Sequence, residues 1–207
     1  MIPAARLQRA AAVGCIALGV AVLTGWALDI DSLKRITPGL ASMKANTAAG
    51  FALAGVALAL AGHPSARARQ LARATAFGVL ALGAASALQY LFGVDIGLDQ
   101  WLFTDPDTPP GRHPGRMSLA STLGFSAGGA ALVASLAGGS HGGTRLARAL
   151  ATAVAALSAL GLIGYAADVD IFYALPGFGS LALHTALGFG VFAVGLFAAG
   201  HAGLWPT

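Results

Sequence analysis

The sequence contains no glutamate. Its eight acidic residues are all aspartates, and charged residues of both signs make up only 10% of the 207-residue chain. A soluble domain carries about a quarter charged residues, so this scarcity excludes an ordinary water-soluble fold. Cysteine occurs once, as Cys15; it can form no internal disulfide and reads as a packing residue. The chain has no G-x-S-x-G, CxxC, HExxH or phosphate-loop pattern, so no enzyme is expected. "GGSHGG" at 138–143 is glycine-rich but reads as a short turn. A net charge of +4 would suit nucleic acid. The basic residues, however, fall in short clusters between apolar runs, as topology signals do, so no nucleic-acid partner is expected.

What is abundant is apolar surface: 57% of the residues are hydrophobic. Six apolar segments stand at 9–28, 44–62, 74–93, 118–138, 147–166 and 181–203. Each is close to the roughly 20 residues that cross a bilayer as a helix. Unbroken apolarity excludes the alternation of barrel strands, and only helices or closed barrels satisfy the backbone in lipid. The expected fold class is therefore all-α integral membrane, with the lipid bilayer as the first partner. The basic start and the lack of a small-residue cleavage site make the first segment an uncleaved span.

Seven arginines (6, 9, 67, 69, 73, 145 and 148) fall on one side of the expected spans. The positive-inside rule makes that side, and both termini, cytoplasmic. The other side carries Lys34, Arg35, Lys44, Arg112 and Arg116, together with every aspartate. Its longest connection, 94–117, is rich in proline and aspartate and reads as an extracytoplasmic loop.

The chain also repeats itself. "PGLASMKANTAAGFALAG", "PGRMSLASTLGFSAGG" and "PGFGSLALHTALGFGVFAVG" each place a hydroxyl three positions before Gly-Phe. The hydroxyls are Thr47, Ser121 and Thr185, the glycines Gly50, Gly124 and Gly188, and the phenylalanines Phe51, Phe125 and Phe189. Upstream, "GWALDID", "QYLFGVDI" and "GYAADVD" each join an aromatic to aspartate. The expectation is one membrane domain of three tandem helical hairpins, approximately 1–63, 64–139 and 140–207, with pseudo-threefold symmetry about the membrane normal, a parallel-repeat arrangement. Met43, Asn46, Thr47, Gly50 and Ala54 share one helix face. Small and hydroxyl residues should turn into the bundle, with Gly50, Gly124 and Gly188 as packing sites, and bulky Leu, Val and Phe toward lipid.

"MKANTAAGF", "PGRMSLASTLGF" and "ALHTALGF" resemble a repeated pattern in the six-helix membrane region at the N-terminus of bacterial sensor histidine kinases and diguanylate cyclases, of the membrane-associated sensor type. The resemblance covers nearly the whole chain. It implies an input module in the bacterial cytoplasmic membrane, a homodimer, and a kinase or cyclase as cytoplasmic output partner. Ala120 replaces the asparagine at position 46 in the second copy, and no phosphoacceptor helix, ATP-binding lobe or cyclase motif is present. The chain is therefore expected to be a stand-alone sensor-like protein or the membrane part of something longer.

The candidate site is a polar layer near the extracytoplasmic ends of the even-numbered spans: Asn46, Thr47, Ser121, His184 and Thr185, with Lys44 beside them. Ionisable groups in a membrane warrant a functional reading, here a small pocket for a polar or amphiphilic ligand. The plainer reading is interhelical hydrogen bonding and helix capping. His184 on its own suggests a haem or metal ligand, or a proton switch. No second ligand shares its face, and His201 is roughly 25 Å away at 1.5 Å per residue. No cofactor is expected; a His184-linked one is the alternative. The Asp29/Asp31 and Asp168/Asp170 pairs read as helix ends rather than a cation site, and Trp26, Tyr90 and Tyr165 as an interfacial belt. The function expected is sensory input, in which a ligand or membrane state at the polar layer shifts helix packing. An accessory subunit of a membrane complex and a small transporter are the alternatives.

Overall fold

Long alanine- and leucine-rich runs without internal proline favour helix, and the computed structural model, which describes residues 3–108, 111–137, 141–174 and 179–200, is helical throughout its regular parts. The helices are α1 (Ala4–Ala27), α2 (Asp31–Lys34), α3 (Ala45–Leu60), α4 (Ala66–Phe92), α5 (Leu119–Ala137), α6 (His141–Ala167) and α7 (Leu183–Ala199), with a 3-10 turn at Asp170–Phe172. Four of them, α1, α4, α5 and α6, are long and apolar enough to cross a membrane. The other two apolar helices, α3 and α7, have 16 and 17 residues, shorter than the sequence pattern suggests. They are also the most enclosed: protein rather than lipid surrounds most of their length, so they do not need to match the bilayer on their own.

Helix α1 packs antiparallel on α3, α4 on α5, and α6 on α7. Contacts of α3 with α4, α5 with α6 and α7 with α1 close these pairs into a ring, and α3, α5 and α7 meet one another inside it. Small residues permit the close approach. A Cβ on Gly19 of α1 would lie 2.5 Å from the Ala48 carbonyl oxygen of α3, and one on Gly83 of α4 would lie 2.4 Å from the Ser126 nitrogen of α5.

At the centre, the three Gly-Phe pairs interlock. The rings of Phe51, Phe125 and Phe189 are fully buried, with centroids 5.0–5.1 Å apart in all three pairings. Tilted and edge-on contacts of this kind match ring quadrupoles. Each ring also covers a glycine of a neighbouring helix. Phe125 lies over Gly50, Phe189 over Gly124 and Phe51 over Gly188, with the nearest ring atom 2.5–2.7 Å from where a Cβ would stand. The expectation that these phenylalanines face lipid is therefore wrong. Phe51 follows Thr47 by four residues and so shares the inward face. The glycine beside it leaves the space that an inward ring needs.

The outer helices end alike. Asp29, Gly93 and Asp168, each three residues after an aromatic, take φ of 53°, 64° and 54°. The next amide reaches back in two cases, Ile30 N to the Gly25 carbonyl and Val169 N to the Gly164 carbonyl, both at 2.8 Å. These are left-handed helix stops, which agrees with reading those aspartates as helix ends.

Candidate functional site

The loop ends of the helices carry all eight aspartates, and the ion pairs among the described residues are all built from them. Lys34, 4% exposed, binds Asp29 at 2.6 Å and Asp31 at 3.3 Å. Its hydrogen bond to Asp29 holds that carboxyl below the usual range and raises the lysine in turn. Arg35 binds Asp107 at 2.7 Å, Lys44 binds Asp105 at 2.6 Å, and Arg116 binds Asp99 at 2.7 Å, the last with both side chains 4% exposed.

Three of these pairs pin the 94–117 connection at Asp99, Asp105 and Asp107 and bury Asp99, Asp105 and Arg116, while most of its other described residues stay exposed. Asp99 also accepts from Gln89 at 2.9 Å, and Arg116 donates to the Val94 carbonyl at 3.0 Å. Asp105 accepts from Lys44, from the Thr108 hydroxyl at 2.6 Å and from the Gly115 amide at 3.0 Å. Burial pushes the Asp105 carboxyl up, but the hydrogen bonds from Lys44 and Thr108 outweigh it and hold the group below the ordinary carboxylate range. Buried charges are tolerated when paired and fully hydrogen-bonded in this way.

The three aromatics of the column each donate a hydrogen bond to the backbone. Trp26 Nε1 donates to the Met43 carbonyl at 2.9 Å, Tyr90 Oη to Met117 at 2.7 Å and Tyr165 Oη to Leu181 at 2.6 Å. Each aromatic thus fixes the backbone just before an inner helix. Lys34 lies 5.3 Å over the Trp26 ring, Arg116 lies 5.6 Å from the Tyr90 ring, and Tyr173 stacks on Tyr165 at 4.0 Å.

Between these elements lies a cavity of about 480 Å³, open at the loop end of the molecule. All three helix pairs contribute to this vestibule: Ser42 and Lys44 from the first, Tyr90 and Ser118 from the second, Tyr165 and Ser180 from the third. Its charged lining is four cations (Arg35, Lys44, Arg112 and Arg116) against two carboxylates (Asp107 and Asp170). Arg112 is exposed and has no ion pair or hydrogen bond among the described residues.

The five residues of the expected polar layer lie one level deeper, all buried. Asn46 Nδ2 donates to the Gly115 carbonyl at 3.0 Å, and its Oδ1 accepts from the Thr47 amide at 2.7 Å. Ser121 and Ser118 hydroxyls meet at 3.0 Å. Thr185 is 1% exposed and His184 is 8% exposed, with its Nε2 lacking a hydrogen-bond partner among the described residues. None of the five lines the vestibule, whose walls begin at Lys44 and Ser118. Among the described residues no group of three potential ligands gathers for a metal. His201 lies outside the described residues.

Sequence reasoning missed Asp99, Asp105 and Gln89. The signal available was the company they keep: five cations stand with all eight aspartates at one end of the chain's expected spans, while the charged side chains of the other end are arginines alone. No family model, curated protein or solved structure matches the chain.

Proposed function

We propose that the protein is a sensory input module of a bacterial cytoplasmic membrane. In this reading α1, α3, α4, α5, α6 and α7 are its six spans, three hairpins are related by a pseudo-threefold axis, and both termini are cytoplasmic. A ligand received in the vestibule shifts the packing of the inner helices, and the shift is passed to a cytoplasmic kinase or cyclase, with a homodimer as the signalling unit.

The observation that carries this reading is the position of the cavity. All three helix pairs wall it, and Lys44 on its rim precedes Phe51 by seven residues, about 10 Å along a helix. A ligand that draws the three walls together acts on the helices whose rings interlock below. Differential affinity for two packings is the physical requirement for such a signal. The three rings meeting on the axis also weigh against the transporter alternative, since they leave no axial path through the bundle.

The test places spin labels at Arg67→Cys and Arg145→Cys in a Cys15→Ala background, in nanodiscs, and screens small anions by thermal shift. A compound that raises the melting temperature and also changes the distance between labels supports sensing. Binding that leaves the distance unchanged sinks it.

A further inference from the structure

We propose that the ligand is a single-chain anionic amphiphile, with its head in the vestibule and its chain in an apolar groove between α5 and α6. This rests on reading the vestibule as a ligand site.

The groove, about 620 Å³, runs along the loop-end halves of the two helices and is lined only by apolar residues, among them Leu123, Ala127, Ala153 and Leu157. Its origin is a pair of small side chains. Where α3 meets α4, Leu53 packs on Gly78, with its Cδ1 3.4 Å from where a Cβ would stand. Where α7 meets α1, Val191 packs on Gly14 in the same way at 3.1 Å. Leu53, Ala127 and Val191 each stand three residues after the repeated glycine, and Gly14, Gly78 and Ala153 each stand twelve before the repeated aromatic. The α5–α6 seam thus has alanine on both sides, and the side chain that fills the other two seams is missing. One seam is open, which fits one chain.

The groove and the vestibule share a wall. Ser118 lines the vestibule and Leu119 the groove; Asp170 and Tyr173 line the vestibule, and Ile171 and Phe172 the groove. In the polar chamber Arg35, Lys44 and Arg116 are paired with Asp107, Asp105 and Asp99, which leaves Arg112 as the cation without a partner among the described residues, whereas the described lining of the groove carries no charge. A small water-soluble anion would leave the groove unfilled, and an uncharged chain would leave Arg112 unanswered. An anionic head on an alkyl chain matches both.

The test uses the full chain in phosphatidylcholine nanodiscs with a diazirine-bearing palmitate, and maps the labelled peptides by mass spectrometry. Label should concentrate on 119–127 and 153–160, and free palmitate, but not hexadecanol, should compete. The variant Ala127→Leu with Ala153→Gly, which copies the filled seams, should lower labelling by about tenfold or more, since two buried methylenes already carry that much. Arg112→Gln, at an exposed position, should lower it while leaving the melting temperature unchanged. Label spread evenly over the outer helices, or undiminished in both variants, overturns the proposal. So does competition by phosphatidylglycerol equal to that by palmitate, which would assign the site to a two-chain lipid. Calorimetry with butyrate separates this proposal from the reading beneath it. Butyrate binding as tight as palmitate overturns the amphiphile and leaves the vestibule standing, and no binding by either overturns both.

Discussion

The hydroxyl of Ser158 on α6 stands 2.9 Å from where a Cβ on Gly190 of α7 would lie, and donates to the Ala186 carbonyl at 2.7 Å. The other two helix pairs reverse this arrangement. Gly19 on α1 faces Ala52 on α3, and Gly83 on α4 faces Ser126 on α5. Ser158, Gly19 and Gly83 each precede the repeated aromatic by seven residues. The close approach is therefore kept while the residue that permits it changes helix.

Gly190→Ala alone should destabilise the protein by about 1–3 kcal/mol through overpacking. Adding Ser158→Gly should recover much of that loss, with a coupling of about 0.5–3 kcal/mol in a double-mutant cycle. Unfolding by sodium dodecyl sulfate from mixed micelles measures it, and strict additivity would refute the pairing.

Gly124→Ala brings a Cβ to 2.5 Å from the Phe189 ring, and should cost about 1–3 kcal/mol. Gly62→Ala meets nothing within 4 Å and should stay within about 0.5 kcal/mol of the parent. Thermal melting of the two side by side checks the contrast. Full stability of Gly124→Leu or Gly188→Leu would falsify the central packing.

Phe51→Ala and Phe189→Ala should each cost about 3–5 kcal/mol. Because the two rings touch each other and Phe125, the double variant should cost less than the sum. Chemical unfolding of the four proteins in the cycle gives the coupling directly.

Asp105 provides a pH test. Its carboxyl is held below its ordinary 3.8 by Lys44 and Thr108 despite burial. A carboxylate depressed in the folded state stabilises fully above its unfolded value, and the contribution is lost as pH falls through the folded one. Melting temperature should therefore drop as pH falls below about 4, and Asp105→Asn, already destabilised at pH 7, should show a smaller drop. Equal slopes for both proteins would contradict this.

Gly93 sits at φ 64° where the other outer helices end on Asp29 and Asp168. Gly93→Ala should lose about 1–2 kcal/mol, the cost of a left-handed conformation for an L-residue, whereas Gly93→Asn, which tolerates that region, should lose less. Melting temperatures rank the two.

The helical, membrane-compatible class was legible because charge scarcity and unbroken apolar runs act over whole segments. The Gly-Phe element was legible because it occurs three times. The direction of Phe51 was not, because a rule that sends bulky residues to lipid takes no account of the space an adjacent glycine opens on another helix. Lys44 and His184 stood out individually as polar residues in apolar runs. The partner of Lys44, Asp105, lies 61 residues away, and no local pattern specifies a pairing across so long a connection. The open α5–α6 seam depends on comparing Ala127 with Leu53 and Val191 across helix contacts, which requires knowing which helices touch.

The circular seating of the three rings also bears on how the chain is made. Phe125 can settle on Gly50 once the second helix pair is in place, but Phe51 rests on Gly188 and Phe189 rests on Gly124. Two of the three contacts thus wait for α7, the last of these helices to leave the ribosome. Until then Phe51 has no socket, and the five apolar helices before α7 (α1, α3, α4, α5 and α6) form an open arc with an aromatic side chain at its inner edge. The ring of helices therefore closes in a single step when α7 arrives, and a synthesis halted before α7 would leave an open arc with an unseated aromatic for chaperones and proteases to recognise.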